Sequence, residues 1–199
     1  IMTSDGILNL NMLPSSIIIF GCIVIGVEFD TFFAELGDKV TIVEILDRII
    51  PLEDQECADL LKQELTRMGI SIYTSTRLES IEDTGSSAEV TAQKDSKPLA
   101  ISADCALLCT GRKPFLNTEQ LDKLGIVYSK TGIKVDSKMM TNVAGIYAVG
   151  DATGGMMLAH RAMQQAKCAV GRIFGEEVLD YNENFIPSVV YSHPQIARV

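Results

Sequence analysis

The sequence predicts an α/β protein, with a Rossmann-like parallel sheet, crossover helices and an antiparallel β-meander, joined to part of a second α/β domain. Residues 15–44 indicate the parallel sheet because they read as strand, glycine turn, helix and strand, the order of a βαβ unit. Two short alternating runs at residues 88–93 and 99–102 indicate the hairpin or meander.

The βαβ unit begins with the apolar, β-branched run Ser16–Phe20, which suits a strand buried on both faces. A turn at residues 21–26 leads into a helix that Gly37 ends, and Lys39–Val43 is a second buried strand. Side chains at the spacing of one helix face predict which side of this helix is buried: Phe29, Phe32, Phe33 and Leu36.

A βαβ unit with glycines in its first turn is the arrangement that binds a dinucleotide pyrophosphate at a helix N-terminus. Where the fingerprint is G-x-G-x-x-G, this chain has Gly21, Ile23 and Gly26, so a β-branched residue replaces the middle glycine. Glu44 lies 18 residues after Gly26, close to the ~20 expected for the carboxylate that binds a ribose hydroxyl. Two interpretations stay open: a dinucleotide site, or a unit that holds no nucleotide, with Glu44 as a solvated charge.

Composition argues against several classes of partner. The chain has 199 residues, 47% hydrophobic and 22% charged, as in a globular protein with a core. Its net charge of −9 and the lack of a basic run argue against a nucleic acid or an anionic membrane as partner. The longest apolar run, residues 17–27, is shorter than the ~20 residues that span a bilayer.

The five cysteines, an odd number without a secretion signal, favour free thiols in a reducing compartment. Cys105 and Cys109 suggest a redox pair because they lie close together in sequence. However, they belong to an apolar run at residues 105–110 that reads as a buried strand, where four steps of ~3.3 Å separate their Cα atoms by ~13 Å. We therefore expect two small buried residues and no disulfide between them.

Residues 1–14 are predicted to be an entry segment of mixed polarity before the first strand. After Glu44, Asp54 is expected to cap a helix at residues 55–68, which is followed by a strand at residues 70–73. The apolar spacing predicts the buried stripe of that helix: Cys57, Leu61, Leu65 and Met68.

The C-terminal half contains a second potential ligand cradle. Residues 145–150 predict a short strand, Asp151 follows at its end, and a glycine pair leads into a helix at residues 158–174. The alternative is that Asp151 is only a turn residue or a helix cap. The packed face of the helix is predicted as Leu158, Ala162, Ala166, Ala169 and Ile173.

Five stretches of the chain, in their order, resemble the flavin-dependent pyridine nucleotide–disulfide oxidoreductases. They are GCIVIGVEF, KVTIVE, LLCTGRKP, AGIYAVGDATGGMMLAHRA and IPSVVYSHPQIARV. The resemblance runs over nearly the whole chain, and AVGD followed by MLAHRA is far more specific than the imperfect glycine turn. It favours a ligand-binding role for Asp151 over a turn or cap.

The resemblance implies that the chain spans parts of three domains. Residues 15–113 would be the NAD-binding domain, 114–177 the C-terminal part of the FAD-binding domain, and 182–199 the truncated start of an interface domain. The first FAD-binding segment of that family, with its paired redox cysteines, and the C-terminal acid–base histidine have no counterpart here. We therefore expect no catalytic residue, no metal site and no turnover by this chain alone.

The same resemblance implies which residues contact the cofactors. Because Glu44 would repel a 2′-phosphate, NAD is favoured over NADP, and Arg48 nearby weakens that preference. The NAD contacts would be Gly21, Ile23 and Gly26 at the pyrophosphate, Glu28 at the nicotinamide end, Glu44 at the adenosine ribose, and Gly111 beside the nicotinamide pocket. The FAD contacts would be Gly150, Asp151, Met157, Leu158, Ala159 and His160.

The reaction implied for the whole enzyme is oxidation of a dihydrolipoyl dithiol, with electrons passing through a cysteine disulfide to FAD and then as hydride to NAD+. A related enzyme of the glutathione or mercuric reductase type, and a degenerate non-catalytic binding module, stay open as alternatives. The resemblance also implies a homodimer and a cytoplasmic location, or the mitochondrial matrix in a eukaryote. The expected partners are NAD(H), FAD and the dithiol, with no nucleic acid and no membrane.

Overall fold

The computed structural model describes residues 1–176 and 179–199. It confirms the predicted α/β architecture, with one parallel sheet and separate antiparallel sheets. The chain divides into two compact units, a first unit of residues 1–111 with 189–198, and a second unit of residues 112–188 with 199.

The first unit is built on a five-stranded parallel sheet. Its elements are β1 (Met2–Thr3), α1 (Ser4–Ile7), β2 (Ser16–Phe20), α2 (Val24–Glu35), β3 (Lys39–Val43), α3 (Gln55–Arg67), β4 (Ser71–Tyr73), β5 (Thr76–Asp83), β6 (Ala88–Lys94), β7 (Lys97–Ala103) and β8 (Cys105–Leu108). The sheet order is β1-β8-β2-β3-β4, with Ile18 aligned with Thr41 of β3 and Ala106 of β8. Helices α2 and α3 are the two predicted crossovers.

Strand β2 lies in the middle of the sheet and packs on both faces. Ile17 and Ile19 belong to a core shared with α2 and α3, whereas Ile18 and Phe20 belong to a second core shared with the meander. All four side chains are at most 2% exposed. This double burial explains why the strand is a continuous apolar run and not an alternating one.

The predicted meander is a three-stranded antiparallel sheet in the order β5-β6-β7. Along β6, Ala88, Val90 and Ala92 are buried, and the residues between them are exposed. This alternation is typical of a strand with one face in a core and one in water. The meander therefore covers one face of the parallel sheet, and the helices cover the other.

Residues 1–14, expected to be an entry segment, are part of the first unit. Strand β1 extends the sheet, with Met2 aligned with Leu107 of β8. Ile7 at the end of α1 is 4% exposed and lies in the same core as Ile17. A two-residue strand and a single helical turn are too short to show a period, so hydrophobic patterning does not predict them.

Helix α2 buries a different face from the predicted one. Phe33 is buried as expected, but Phe32 and Leu36 are 52% and 48% exposed. The buried stripe runs through Gly26, Asp30 and Phe33, at the i, i+4 and i+7 positions. The small Gly26 brings this side of the helix against the sheet, and the bulkier phenylalanine at position 32 points outward.

Helix α3 agrees with the prediction except at Cys57 and at Met68, which follows the helix and is only partly buried. Asp54 caps it by accepting a hydrogen bond from the backbone N–H two residues later, at 2.8 Å. Leu61 and Leu65 are buried, but Cys57 is exposed and Ala58 takes its place in the core. The observed positions 58, 61 and 65 are three and four residues apart, close to the 3.6-residue period of a helix. The predicted positions 57, 61 and 65 are each four residues apart, so they turn progressively away from one face.

The second unit contains helix α5 and several short elements. Its elements are α4 (Thr118–Lys123), β9 (Tyr128–Ser129), β10 (Gly132–Ile133), a 3₁₀ turn (Gly150–Thr153), α5 (Ala159–Ile173) and a second 3₁₀ turn (Glu183–Phe185). Strands β9 and β10 form an antiparallel pair. The predicted domain end at residue 177 lies outside the described residues.

Two further strands lie near the C-terminus, β11 (Ser188–Val190) and β12 (Ile196–Arg198), and they form a two-stranded sheet. Residues 189–198, which include most of this sheet, group with the first unit. That residues 182–199 begin an interface domain stays a prediction.

Residues 145–150 do not form the predicted strand. Tyr147 makes an isolated bridge to Met140, and Gly150 begins the first 3₁₀ turn. Gly145 and Gly150 have φ values of +79° and +70°, which lie outside the strand region. The two glycines therefore interrupt the apolar run that suggested a strand.

Helix α5 has nearly the predicted bounds but buries a polar face. Ala169 is buried as predicted, whereas Ile173 is 55% exposed. Arg161 and Gln165 are buried instead, and hydrogen bonds satisfy both side chains. The prediction was wrong at Ile173, and it missed Arg161 and Gln165 because it assigned the buried face to apolar residues alone.

The five cysteines are free thiols. Cys105 and Cys109 are both buried, which confirms the prediction of two small core residues. Among the described residues, no helix is long and apolar enough to cross a membrane.

Asp30 on α2 is an ionisable group inside the core. Its side chain is fully buried; Oδ1 accepts a hydrogen bond from the Thr31 hydroxyl at 3.2 Å, and Oδ2 has no partner in the described part of the chain. Burial raises the pKa of Asp30 well above its ordinary value, against the opposing effect of hydrogen bonds from Thr31. The folded protein therefore keeps this carboxyl protonated at pH values where the unfolded chain ionises it.

We expect Asp30→Asn to favour the folded state increasingly as the pH rises. The raised folded pKa means that the stability contributed by the carboxyl is complete below its unfolded pKa of about 3.9 and is lost as the pH rises through the folded pKa. The amide does not ionise. In urea unfolding, the free energy of unfolding of the variant should therefore rise relative to that of wild type between pH 4 and pH 8. Asp95→Asn, on an exposed turn, is the control for net charge. An equal pH dependence of wild type and Asp30→Asn would contradict a protonated Asp30.

Candidate functional site

The turn between β2 and α2 leaves no room for a side chain at two of its glycines. Gly21 has a φ of +91°, and a Cβ there would lie 2.5 Å from the carbonyl oxygen of Cys109. A Cβ at Gly26 would overlap the carbonyl oxygen of Gly21. Both predicted glycines are therefore required by the backbone, and they hold the first turn of α2 against the ends of β2 and β8.

The N-terminus of α2 can accommodate an anion. Ile23 is its N-cap residue, and no side chain caps the helix there. The backbone N–H groups of the first helical turn have no partner inside a helix, and the helix dipole is positive at this end. Together these features suit a phosphate group.

Ile23 replaces the middle glycine of the fingerprint and points across the turn to Gly111. Its Cδ1 lies 3.8 Å from the position that a Cβ on Gly111 would occupy. The structure thus places two of the predicted site residues close together. The isoleucine side chain occupies space that a glycine would leave open for the backbone to approach a pyrophosphate.

Glu44 follows β3 directly, beside the turn, and is 3% exposed. Its Oε2 accepts a hydrogen bond from the Cys22 N–H at 2.6 Å, and its Oε1 accepts one from the Leu46 N–H at 2.8 Å. The carboxylate therefore holds the backbone of the glycine turn and the loop after β3. Each oxygen keeps acceptor capacity for one more donor, such as a hydroxyl.

Two other charged residues near the turn have partners within the first unit. Arg48 donates from Nη2 to the carbonyl oxygen of Pro51 at 2.7 Å. Glu28, on the second turn of α2, accepts at Oε1 a hydrogen bond from the Tyr191 N–H at 3.1 Å. The residue expected at the nicotinamide end is thus bound to a segment 163 positions later in the chain.

The thiols beside the turn are poor nucleophiles. Burial, and then the charges of Asp30 and Glu44, raise the pKa of Cys22 well above its ordinary value. Burial, and then Asp30, raise the pKa of Cys109 to about 11. Because the thiolate is the reactive form of cysteine, neither residue is suited to thiol–disulfide exchange near neutral pH.

In the second unit, Gly150 and Asp151 begin the 3₁₀ turn that precedes α5. The Gly150 N–H donates to Gln165 Oε1 at 2.7 Å, and the Thr153 hydroxyl donates to the Gly150 carbonyl oxygen at 2.8 Å. These bonds fix the turn from within the unit. Asp151 is exposed, so its carboxylate is accessible to a ligand.

Residues 157–160 lead from this loop into α5. Met157 and Leu158 are partly buried, and Ala159 and His160 are exposed. Leu158 is the N-cap residue of α5, and no side chain caps the helix there. His160 Nε2 lies 2.7 Å from the carbonyl oxygen of Pro187, to which it donates when Nε2 carries the proton.

Arg161 forms a buried polar network that sequence reasoning missed. Its Nε and Nη2 donate to the carboxylate of Glu183 at 2.9 and 3.2 Å, and its Nη1 donates to the Thr153 hydroxyl at 3.4 Å. Its guanidinium also lies 5.9 Å from the ring centroid of Tyr181. The partners are 8 to 22 positions away in sequence, so no local period reveals the network.

The parallel sheet, the glycine-shaped turn, the uncapped helix and the glutamate after the next strand are arranged as in α/β folds that bind dinucleotides. Residues 1–166 match the family described as pyridine nucleotide-disulphide oxidoreductase, and the chain belongs to that family.

Two relatives that the chain resembles are both named dihydrolipoyl dehydrogenase. Dihydrolipoyl dehydrogenase of Bacillus subtilis (strain 168) is 40% identical over 199 residues, which cover 100% of this chain and 43% of the relative. The mitochondrial dihydrolipoyl dehydrogenase of Pisum sativum is 32% identical over 203 residues, covering 100% of this chain and 40% of the relative.

Among solved structures, LpdA from Mycobacterium tuberculosis is similar with a TM-score of 0.91 and 31% identity, covering 99% of this chain and 42% of that one. The HOCl-induced flavoprotein disulfide reductase RclA from Escherichia coli has a TM-score of 0.87 and 30% identity, and the match covers 98% of this chain and 45% of RclA. The chain thus spans less than half the length of these relatives.

We expect Glu183→Gln to destabilise the second unit because Arg161 would lose its counter-charge in a buried position. The loss should be roughly 1–2 kcal/mol at pH 7, less than for a fully buried pair because the Glu183 side chain is 41% exposed. Glu119→Gln is the matched control: it breaks an exposed i,i+4 pair with Lys123 and should cost at most about 0.5 kcal/mol in urea unfolding.

The stability that Glu183→Gln loses relative to wild type should depend on pH. Partial burial raises the pKa of Glu183, but hydrogen bonds from Arg161 and Tyr181 outweigh it and hold the pKa below its ordinary value. The stability from a lowered pKa is present above the unfolded value of about 4.3 and is lost as the pH falls through the folded pKa. The difference between wild type and Glu183→Gln should therefore shrink below pH 4. Equal losses from Glu183→Gln and Glu119→Gln would contradict the network.

Proposed function

We propose that this chain is the NAD-binding and partly FAD-binding portion of a flavoprotein disulfide oxidoreductase that oxidises a dihydrolipoyl dithiol with NAD+. One observation carries the proposal: Gly21 and Gly26 close a turn at an uncapped helix N-terminus, and Glu44 holds that turn from the next strand end. The dithiol substrate is supported by the relatives named dihydrolipoyl dehydrogenase. A glutathione or mercuric reductase type is the related alternative.

The residues at the first turn fit NAD at three places and oppose it at one. The tight glycines let the backbone approach a pyrophosphate, the amides of α2 would donate to it, and Glu44 would accept from the adenosine ribose. A carboxylate at that position disfavours a 2′-phosphate, and Arg48 already donates to Pro51. Both observations support NAD over NADP. Ile23 is the residue that opposes binding.

The loop of the second unit fits one side of FAD. The exposed carboxylate of Asp151 would accept hydrogen bonds from the ribityl hydroxyls, and the tight Gly150 backbone would position it. Residues 157–160 would border the isoalloxazine ring, and the positive end of α5 would favour negative charge on it. When bound, FAD supplies the two-electron chemistry between dithiol and NAD+, and this chain orients it.

We further infer that the chain alone does not turn over. Burial raises the pKa of Cys105 and Cys109 to about 11 and that of Cys22 well above its ordinary value, so these thiols are not reactive nucleophiles near neutral pH. The purified chain should therefore show no dithiol-dependent reduction of NAD+. A homodimer, and a cytoplasmic or mitochondrial matrix location, belong to the proposal for the whole protein.

A second candidate function is a degenerate binding or structural module. The Ile23 side chain, which lies near Gly111, favours it because the fingerprint has a glycine at position 23. The two candidates differ in one measurable property, the affinity for NADH.

Calorimetric titration of the purified chain with NADH and NADPH tests the proposal. We expect NADH to bind in the micromolar range, with little binding of NADPH because of the Glu44 carboxylate. Ile23→Gly should bind NADH about tenfold more tightly, which corresponds to ~1.4 kcal/mol, because the side chain leaves the pyrophosphate path. Ile23→Ala should change the affinity in the same direction by less.

Ile173→Ala is the control, since it shortens an exposed isoleucine on α5 and should leave the affinity unchanged. Equal binding of NADPH and NADH would contradict the role of Glu44. If neither wild type nor Ile23→Gly bound NADH, the NAD-binding proposal would be wrong and the degenerate module would stand.

A further inference from the structure

Residues 189–198, hereafter the clamp segment, are integrated into the first unit although most of that unit lies far earlier in the chain. They contain all of β12 and most of β11, which pair with each other. Val190 is fully buried in the same core as Ile17 of β2 and Val40 of β3. The clamp segment is therefore packed against the unit and is not a loose extension of it.

Two glutamates hold the clamp segment by polar contacts. Glu28 accepts the Tyr191 N–H at 3.1 Å. Arg198 Nε lies 3.1 Å from Oε1 and 2.9 Å from Oε2 of Glu53. The Glu53 side chain is 5% exposed and that of Arg198 is 47% exposed, so the glutamate is largely withdrawn from water. A buried carboxylate depends on its cationic partner more strongly than a surface one does.

The two glutamates lie on connections that leave the carboxyl ends of neighbouring strands. Glu28 is on α2, which follows β2, and Glu53 is in the connection between β3 and α3. The carboxyl ends of parallel strands meet at one edge of the sheet, where ligands of open α/β sheets bind. Glu44 and the glycine turn lie at this same edge. The clamp segment thus contacts both α2, which follows the turn, and the connection between β3 and α3.

We infer that docking of the clamp segment and binding of NAD(H) at the glycine turn are energetically coupled, with Glu28 and Glu53 as positioning residues. The inference rests on the proposed NAD site. A dinucleotide at the turn restrains α2 and the connection after β3, and these are the elements that hold Tyr191 and Arg198. Each event therefore lowers the entropic cost of the other, and the coupling must be reciprocal.

Amide hydrogen exchange of the purified chain, with and without NADH, tests the inference. NADH should slow exchange within residues 189–198 of the wild type. Arg198→Ala should speed that exchange in the absence of NADH and weaken NADH binding about fivefold or more. Arg77→Ala is the matched control, because it removes an exposed arginine of β5 in the same unit and should change neither quantity.

Conservative variants distinguish the effect of losing one contact of the clamp segment from the effect of a general loss of structure. Glu28→Gln keeps a side-chain oxygen that can accept the Tyr191 N–H, whereas Glu28→Ala does not. We expect Glu28→Gln to retain the slow exchange of the clamp segment and Glu28→Ala to lose it. Arg198→Lys, which keeps the positive charge near Glu53, should restore part of the protection lost in Arg198→Ala. Exchange in β6 should stay unchanged in all of these variants.

Two outcomes would overturn the inference in different ways. Wild-type exchange rates at residues 189–198 in both Arg198→Ala and Glu28→Ala would show that these contacts do not hold the clamp segment. Faster exchange in Arg198→Ala with an unchanged NADH affinity would show that docking and cofactor binding are independent. If neither the wild type nor Ile23→Gly bound NADH, the proposed NAD site and the coupling would both fail, and exchange without cofactor would still decide whether the contacts hold the segment.

Discussion

The contact between Gly26 and the carbonyl oxygen of Gly21 is the constraint on which the first unit depends. A Cβ at Gly26 would overlap that oxygen, so the first turn of α2 reaches the strand ends only because no side chain intervenes. This close approach directs one stripe of α2, including Asp30, into the core. It also places the helix amides beside Glu44, whose carboxylate binds the Cys22 N–H. The geometry of the core and that of the proposed cofactor site thus have one cause.

Buried polar side chains fix the loops of both units by bonding to their backbone or to each other. Glu44 holds the glycine turn, and Gln165 holds the Gly150 N–H before α5. Such groups remain stable in a core because each has a hydrogen-bond partner. Asp30 is an exception, since one of its oxygens lacks a partner among the described residues, as does one oxygen of Asp38. The nearby thiols of Cys22 and Cys109 are also buried, and burial disfavours their ionisation. The turn therefore carries no reactive thiolate near neutral pH.

Sequence patterns predicted several elements that depend on local period, and they missed the contacts whose partners lie far along the chain. The apolar run of β2, the alternation of β6 and the cap at Asp54 are local signals, and all three are present in the structure. The glycines and Glu44 were found by their spacing. The buried Arg161 and the bond from Tyr191 to Glu28 depend on partners far along the chain, which no window of sequence contains. For the loop at Asp151, a family resemblance supplied a role that periodicity could not.

The most direct test of the glycine turn as the cofactor site is an NMR titration of the ¹³C,¹⁵N-labelled chain with NADH. Amide resonances at residues 22–26 and 44–46 should shift together and saturate at one common dissociation constant, since the proposed site has the pyrophosphate at the turn and the ribose at Glu44. The methyl resonances of Ile23 should move with them as its side chain leaves Gly111. Saturable shifts confined to other parts of the chain, with residues 22–26 unchanged, would contradict the assignment of the site.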